Sequence, residues 1–158
     1  MSYYIDIQIA CESPLPFQND ILEKWATIAL PLHREHAELT LRFVDSREMI
    51  NLNFTYRQQN KVTNVLAFPT DYPPHIELDF PMLGDIIVCP EVLTEESLQL
   101  KTPLEAHWAH IIIHGVLHLL GYDHIKDEDA NKMQAIEVKL LAEIGYANPY
   151  DIEENELE

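Results

Sequence analysis

Two stretches of the chain alternate apolar and polar residues, and two others are short and almost continuously apolar. Alternation is typical of half-buried β-strands, and short apolar runs bounded by turn residues fit buried strands. The predicted strands cover residues 3–11, 38–45, 64–68 and 83–89. The last of these runs is the most apolar, which favours an interior place in the sheet.

Helical spacing of apolar residues predicts five helices between and after these strands. They cover residues 19–30, 46–56, 91–100, 105–120 and 127–144. Pro31 and Gly145 are suited to end the first and last helices. Ser46 is suited to cap the second helix, and Thr102 with Glu105 resembles a capping box for the fourth.

The mixture of strands and helices, with no internal repeat and no linker, predicts one α+β domain over residues 1–150. In this fold a small mixed sheet is covered by helices. Residues 57–63 are polar and predict a loop, and residues 71–81 contain three prolines and predict an irregular connection. Acidic residues dominate the segment 151–158, which we predict to be a disordered tail.

Composition narrows the function classes. The 158 residues carry a formal net charge of −17, which argues against a general nucleic-acid binder. Five of the ten basic residues nevertheless lie between Arg34 and Lys61, so a local basic face is compatible with the sequence. No apolar run is long enough to span a membrane, and the N-terminus lacks a signal-peptide pattern. The cysteines, Cys11 and Cys89, lie in apolar runs and predict buried free thiols in a reducing compartment, the cytoplasm.

The strongest chemical signal is a set of three histidines in the pattern H-x3-H-x5-H. His114 and His118 are four residues apart on a predicted helix, so both imidazoles face one side. Gly121 is suited to end that helix, because glycine adopts the left-handed conformation of a C-terminal cap. His124 can then turn back to the same ion. Three histidines with a fourth position open to water form the typical layout of a catalytic zinc site, at the end of a helix.

The spacing also matches the metzincin protease motif H-E-x-x-H-x-x-G-x-x-H, except at one position. Gly115 stands where the proteases carry the glutamate that removes a proton from zinc-bound water. A peptidase is therefore an alternative that this substitution disfavours. His110 continues the histidine stripe, but it lies eight residues from His118, about 12 Å along the axis. We expect His107 and His110 to be packed or solvated side chains rather than ligands.

Residues 114–124, HGVLHLLGYDH, resemble the signature of the YbeY family of bacterial endoribonucleases. Two further stretches strengthen this resemblance. Residues 52–57 and 63–69 are similar to the arginine loop and following strand of that family, and residues 83–86 to its central strand. The similarity covers residues 5–146. Ala67 departs from the pattern, because the family usually carries serine there.

The resemblance implies an α+β fold with one zinc ion bound by His114, His118 and His124. It implies cleavage of single-stranded RNA, maturation of the 3′ end of small-subunit ribosomal RNA, and ribosome quality control. The implied partners are ribosomal RNA, the small ribosomal subunit, one of its proteins and an assembly GTPase. Arg57 matches a functional family position, and we predict that it clamps a phosphate.

Several alternatives remain open from the sequence. Asp123 is a candidate to orient His124 through its second ring nitrogen, to take a proton from water, or to cap the turn. Asp85 is a weaker candidate for the general base. Attack by the 2′-hydroxyl of the RNA would explain why no glutamate is present at position 115, and the sequence leaves these routes open. A non-enzymatic assembly factor with a structural zinc is the second alternative. Structural zinc sites have four protein ligands, so that hypothesis requires a residue such as Cys89 at the histidines.

Overall fold

The computed structural model describes residues 1–70 and 81–151 and confirms the predicted α+β fold. Within those residues the chain forms four strands and five α-helices, with a short 3₁₀ helix at Leu30–Leu32. In chain order they are β1 (Ser2–Ile9), α1 (Asn19–Thr27), β2 (His36–Phe43), α2 (Ser46–Arg57), β3 (Val65–Pro69), β4 (Met82–Val88), α3 (Pro90–Leu100), α4 (Leu104–Leu119) and α5 (Asp127–Glu143). Every predicted strand and helix is therefore present.

The sheet has the strand order β1-β2-β4-β3. β1, β2 and β4 are parallel to one another, and β3 pairs with β4 in the antiparallel direction. β4 lies between two strands, which confirms its predicted interior place. β3 is the edge strand of the sheet on this side and contacts α4. It forms one wall of the site described below.

Helix α4 is the central element of the core. Ten of its 16 residues are buried, and it packs against β3 and β4 as well as α1, α3 and α5. A helix that is apolar on most of its circumference is stable only when neighbours cover it on several sides. Its Trp108 stacks on Phe43 at 5.5 Å between ring centroids and meets Phe17 edge-on at 5.1 Å. The histidine pair is thus carried by the most enclosed helix of the fold.

Helix ends depart from the predictions by a few residues. The N-cap positions are Asp45 and Pro103 rather than Ser46 and Thr102, and neither makes a side-chain capping bond. The Ser46 hydroxyl instead donates to Glu91 Oε2 at 3.0 Å, so a long-range contact replaces the local cap. Helix α1 ends at residue 27, and Pro31 lies in the 3₁₀ helix that follows.

Two predicted segments fall largely outside the described residues. They are the irregular connection, of which only Pro81 is described, and the acidic tail, of which only Asp151 is described. Among the described residues, no helix is both long and apolar enough to cross a membrane.

Candidate metal centre and groove

The last turns of α4 bring the first two histidines together. The Nε2 atoms of His114 and His118 lie 3.1 Å apart, because residues four apart are neighbours on one helix face. Gly121 follows with φ +103°, the left-handed conformation predicted for it. Its N–H donates to the His118 carbonyl at 3.1 Å, and the Tyr122 N–H donates to the Leu117 carbonyl at 3.0 Å. These two bonds form a Schellman motif, which ends the helix and reverses the chain.

The reversal brings the third histidine back to the pair. His124 Nδ1 lies 3.1 Å from His118 Nε2, and one ring nitrogen from each of the three histidines lies within 4.8 Å of the other two. Zinc–nitrogen bonds of about 2.0–2.1 Å at tetrahedral angles place ligand nitrogens about 3.3 Å apart. The observed separations are close to that value, so the three side chains fit one ion.

The surroundings of His118 favour its neutral form. Burial, together with the nearby His114 and His124 rings, lowers the pKa of His118 to about 4. Metal ions compete with protons for the same nitrogen lone pairs, so a depressed pKa keeps the ligand form populated at neutral pH.

A buried carboxylate that the sequence analysis missed orients the first ligand. Glu137, on α5, is 1% exposed, and its Oε2 lies 3.2 Å from His114 Nδ1 and 2.9 Å from His110 Nε2. Tyr150 donates its hydroxyl to the other oxygen at 2.6 Å. Burial alone raises the pKa of Glu137, but the hydrogen bonds from the two histidines outweigh it and lower the pKa to about 2. The carboxylate therefore holds the Nδ1–H tautomer of His114 and leaves Nε2 for a metal.

Replacing Glu137 by glutamine is expected to weaken metal binding about 10- to 100-fold, the usual cost of losing a partner that orients a ligand. A neutral amide oxygen is a weaker acceptor for the two histidines than a charged carboxylate oxygen, and the amide nitrogen cannot accept from Tyr150. Competition with a chromophoric chelator measures the affinity. Glu96→Gln is the matched control, because Glu96 accepts from His107, which is not in the cluster. Equal losses in both variants would contradict the orienting role of Glu137.

The histidines open onto a groove with a cavity volume of about 620 Å³. Its walls come from the end of α2, the following loop, β3, α4 and the turn after α4. The lining residues are Asn53, Arg57, Gln59, Thr63, Asn64, Val65, Leu66, Ala67, Pro69, His114, Gly115, His118, Asp123, His124 and Ile125. The groove thus contains the three histidines, Arg57 and Asp123, which are distant in sequence. Asp85, the weaker candidate for the base, is not among these lining residues.

Arg57 is the last residue of α2 and is exposed at the groove. One guanidinium nitrogen, Nη2, donates to the Ala67 carbonyl at 3.3 Å, and the group lies 6.0 Å from the centroid of the Phe68 ring. These contacts aim the side chain across β3. Asp123 uses one oxygen to accept from the N–H groups of His124 and Ile125, at 2.6 and 3.1 Å. These two bonds fit the alternative in which Asp123 caps the turn. The role of Asp123 in orienting His124 stays a prediction.

Close packing explains why position 115, where the metzincins carry glutamate, is a glycine in this chain. A Cβ atom on Gly115 would lie 2.9 Å from Ile86 Cγ2 and 3.5 Å from Val65 Cγ2. The helix therefore approaches β4 more closely than a side chain at this position allows. This close packing disfavours the peptidase alternative further.

The remaining candidates lie outside the cluster. His107 is buried, with Nε2 3.0 Å from Glu96 Oε1, and His110 binds Glu137, so both are packed side chains as predicted. Cys89 is buried and free, with its sulfur 3.8 Å from the Ser46 hydroxyl. Cys11 is also free but only partly buried, so the prediction of a buried thiol is wrong at this position. Among the described residues, the only metal-binding cluster of three or more is His114, His118 and His124, without a cysteine.

The comparison with known protein families agrees with the site. A family model described as Endoribonuclease YbeY matches residues 10–145. The chain belongs to the YbeY family. Proteins named Endoribonuclease YbeY from three strains of Legionella pneumophila (Corby, Lens and Paris) are 61% identical over 158 residues, which is 100% of each chain. A solution structure of a Thermotoga maritima protein is similar with a TM-score of 0.61 and 26% identity, over 87% of this chain and 88% of that one. The YbeY-like resemblance of residues 114–124 is thereby confirmed.

Proposed function

We propose that this chain is a zinc-dependent endoribonuclease that cleaves single-stranded RNA in the groove beside α4. The observation that carries the proposal is the convergence of three histidine nitrogens and Arg57 on one groove. The name of the Legionella relatives supports the reaction class. Neutral imidazoles suit several divalent metals, and zinc is the one that the family resemblance implies.

His114, His118 and His124 would hold the ion, with Glu137 fixing the tautomer of the first. A zinc ion bound there supplies Lewis acidity toward a phosphoryl oxygen and lowers the pKa of its water toward about 7. Arg57 is the only lysine or arginine among the lining residues of the groove. Its planar fork has five N–H donors, and the bond to Ala67 uses one of them. The others are free to bind two oxygens of a phosphate.

The small number of cations in the groove also bears on the partners. Each phosphate contact made by a cation contributes electrostatic affinity, so Arg57 and one metal ion hold RNA weakly by themselves. With a net charge of −17, the protein gains little further attraction to polyphosphate. We therefore infer that the RNA is delivered in a particle whose proteins contribute to binding. The resemblance of residues 114–124 supports the small ribosomal subunit, in the cytoplasm, as that particle. Maturation of its RNA 3′ end, quality control, a subunit protein and an assembly GTPase are the corresponding roles and partners.

Cleavage of a labelled single-stranded RNA by the purified, metal-loaded protein tests this proposal. We expect cleavage of RNA but not of DNA or duplex RNA, loss of cleavage with a chelator, and recovery when zinc is returned. The ends of the products separate two routes. Attack by water leaves one terminal phosphate monoester, whereas attack by the 2′-hydroxyl leaves a 2′,3′-cyclic phosphate and a 5′-hydroxyl. Cleavage that persists after metal removal would contradict the proposal and favour a non-enzymatic assembly factor with a contaminating nuclease.

A further inference from the structure

Two asparagine side chains in the groove have their amide orientation fixed by the protein. Asn53 lies on α2 one turn before Arg57, and Asn64 lies just before β3. Both line the groove that contains the histidines. The proposed phosphate clamp and metal ligands do not involve either of them.

The Asn53 side chain is 4% exposed, and its Nδ2 donates to the Lys61 carbonyl at 3.0 Å. A backbone carbonyl can only accept, so the nitrogen must face Lys61 and the oxygen must face away. That oxygen accepts no hydrogen bond from residues 1–70 or 81–151. The only fully buried side-chain nitrogen or oxygen without a partner in this part of the chain is Trp108 Nε1. The Asn53 oxygen is therefore not fully buried, and the residue to which it belongs lines the groove.

Asn64 is fixed in the same way by a carboxylate. Its Nδ2 lies 3.2 and 3.3 Å from the two oxygens of Glu96, and Glu96 in turn accepts from the buried His107 at 3.0 Å. An ionised carboxylate also only accepts, so the amide nitrogen faces Glu96. Its amide oxygen has no donor among the described residues, and the residue lines the groove.

We infer that the amide oxygens of Asn53 and Asn64 accept hydrogen bonds from a nucleotide of the RNA in the groove. This inference rests on the proposed function and extends it to recognition of the substrate. The chemistry required of the ligand is a neutral hydrogen-bond donor, which a nucleotide supplies as its ribose 2′-hydroxyl or as a base N–H group. Phosphate oxygens only accept, so the amide oxygens do not duplicate the proposed role of Arg57.

The spacing on α2 fits this division of roles. Asn53 and Arg57 are four residues apart, so their Cβ atoms lie about 5–6 Å from each other on one helix face. A phosphate bound at Arg57 would thus place the sugar or base of an adjoining nucleotide within reach of Asn53. Fixed acceptors cost no reordering when the ligand binds, and groups held in this way discriminate strongly between ligands with and without the matching donor.

A double-mutant cycle between protein and RNA tests the inference. kcat/KM is measured for the metal-loaded wild type and for Asn53→Ala and Asn64→Ala. The substrates are a parent oligomer, a series with single 2′-deoxy nucleotides flanking the cleaved bond, and a series with bases lacking their amino group. One neutral hydrogen bond corresponds to about a 3- to 10-fold change. We expect at least one change in the RNA substrate to lower kcat/KM of the wild type by this factor. The same change should leave kcat/KM of Asn53→Ala or Asn64→Ala unaffected.

The cycle separates recognition from loosening of the protein, because a general loss affects every substrate equally. Gln59→Ala is the matched control, since Gln59 is an exposed groove amide whose side chain has no fixing partner among the described residues. Coupling to the deoxy series identifies the ribose, and coupling to the other series identifies the base. If the effects of the protein substitutions and of the RNA changes are independent in both series while the wild type cleaves RNA, this inference is overturned and the proposed function stands. Absence of RNA cleavage by the wild type would overturn the proposed function, and this inference with it.

Discussion

Arg57→Ala is expected to lower kcat/KM for single-stranded RNA about 10²- to 10³-fold and to leave bound metal unchanged. This is the usual cost of removing one fixed donor to a developing negative charge. Arg57→Lys should recover little, because an ammonium group cannot form the bidentate contact.

His118→Ala, in contrast, should abolish both cleavage and stoichiometric metal binding, since it removes the central nitrogen of the cluster. Metal content and cleavage are assayed on each protein.

The control for Arg57 lies on the same helix. Arg47 is also an exposed arginine of α2, but it is not among the residues that line the groove. Arg47→Ala should therefore retain cleavage within a few-fold of the wild type. Loss of metal from Arg57→Ala would show that the arginine supports the fold of the site and would contradict the phosphate clamp.

Gly84→Ala is expected to lower the free energy of unfolding by about 3 kcal/mol or more. Gly84 has φ +143°, which costs an L-residue about 1–3 kcal/mol. A Cβ atom there would also lie 2.2 Å from the Phe68 carbonyl oxygen and 2.9 Å from Pro69 Cα, and such overpacking costs about 1–3 kcal/mol more. Because both neighbours are backbone atoms of β3, the strand itself must move. Urea unfolding measures the change.

Gly145→Ala provides the comparison for this effect. Gly145 also has positive φ, at +90°, but a Cβ atom there would meet nothing within 4 Å. Only the conformational cost remains, about 1–2 kcal/mol. Equal losses at the two positions would show that the close contact between β4 and β3 contributes nothing.

The histidine cluster could be predicted from sequence because its geometry is local. His114 and His118 share a helix face through helical periodicity, and Gly121 supplies the reversal that returns His124. The strands and helices were predictable for the same reason, since each depends on a pattern within about ten residues. The predicted helix caps were less accurate, because neighbouring polar residues compete for the capping position. Ser46, for example, bonds to Glu91 across the fold rather than to its own helix.

Glu137 was missed because its role depends on a contact between helices. It occupies a core position of α5, in register with the buried residues Met133, Leu140 and Leu141. A glutamate at a position that helical periodicity assigns to the core was the available signal, because a buried charge requires a partner. The partners, His110 and His114, were visible in the sequence, but their pairing with α5 was not. The fixed amides of Asn53 and Asn64 are unpredictable for the same reason.

The placement of the ligands has a kinetic consequence. His114 and His118 belong to the enclosed helix α4, so their separation changes little while the fold persists. His124 lies beyond the Schellman turn and beyond Tyr122, which packs on the core, and residues 123–125 are exposed. Local opening is cheapest where contacts are few. We therefore expect an ion held by these histidines to enter and leave when residues 123–125 open, so its lifetime would report the opening rate of that segment.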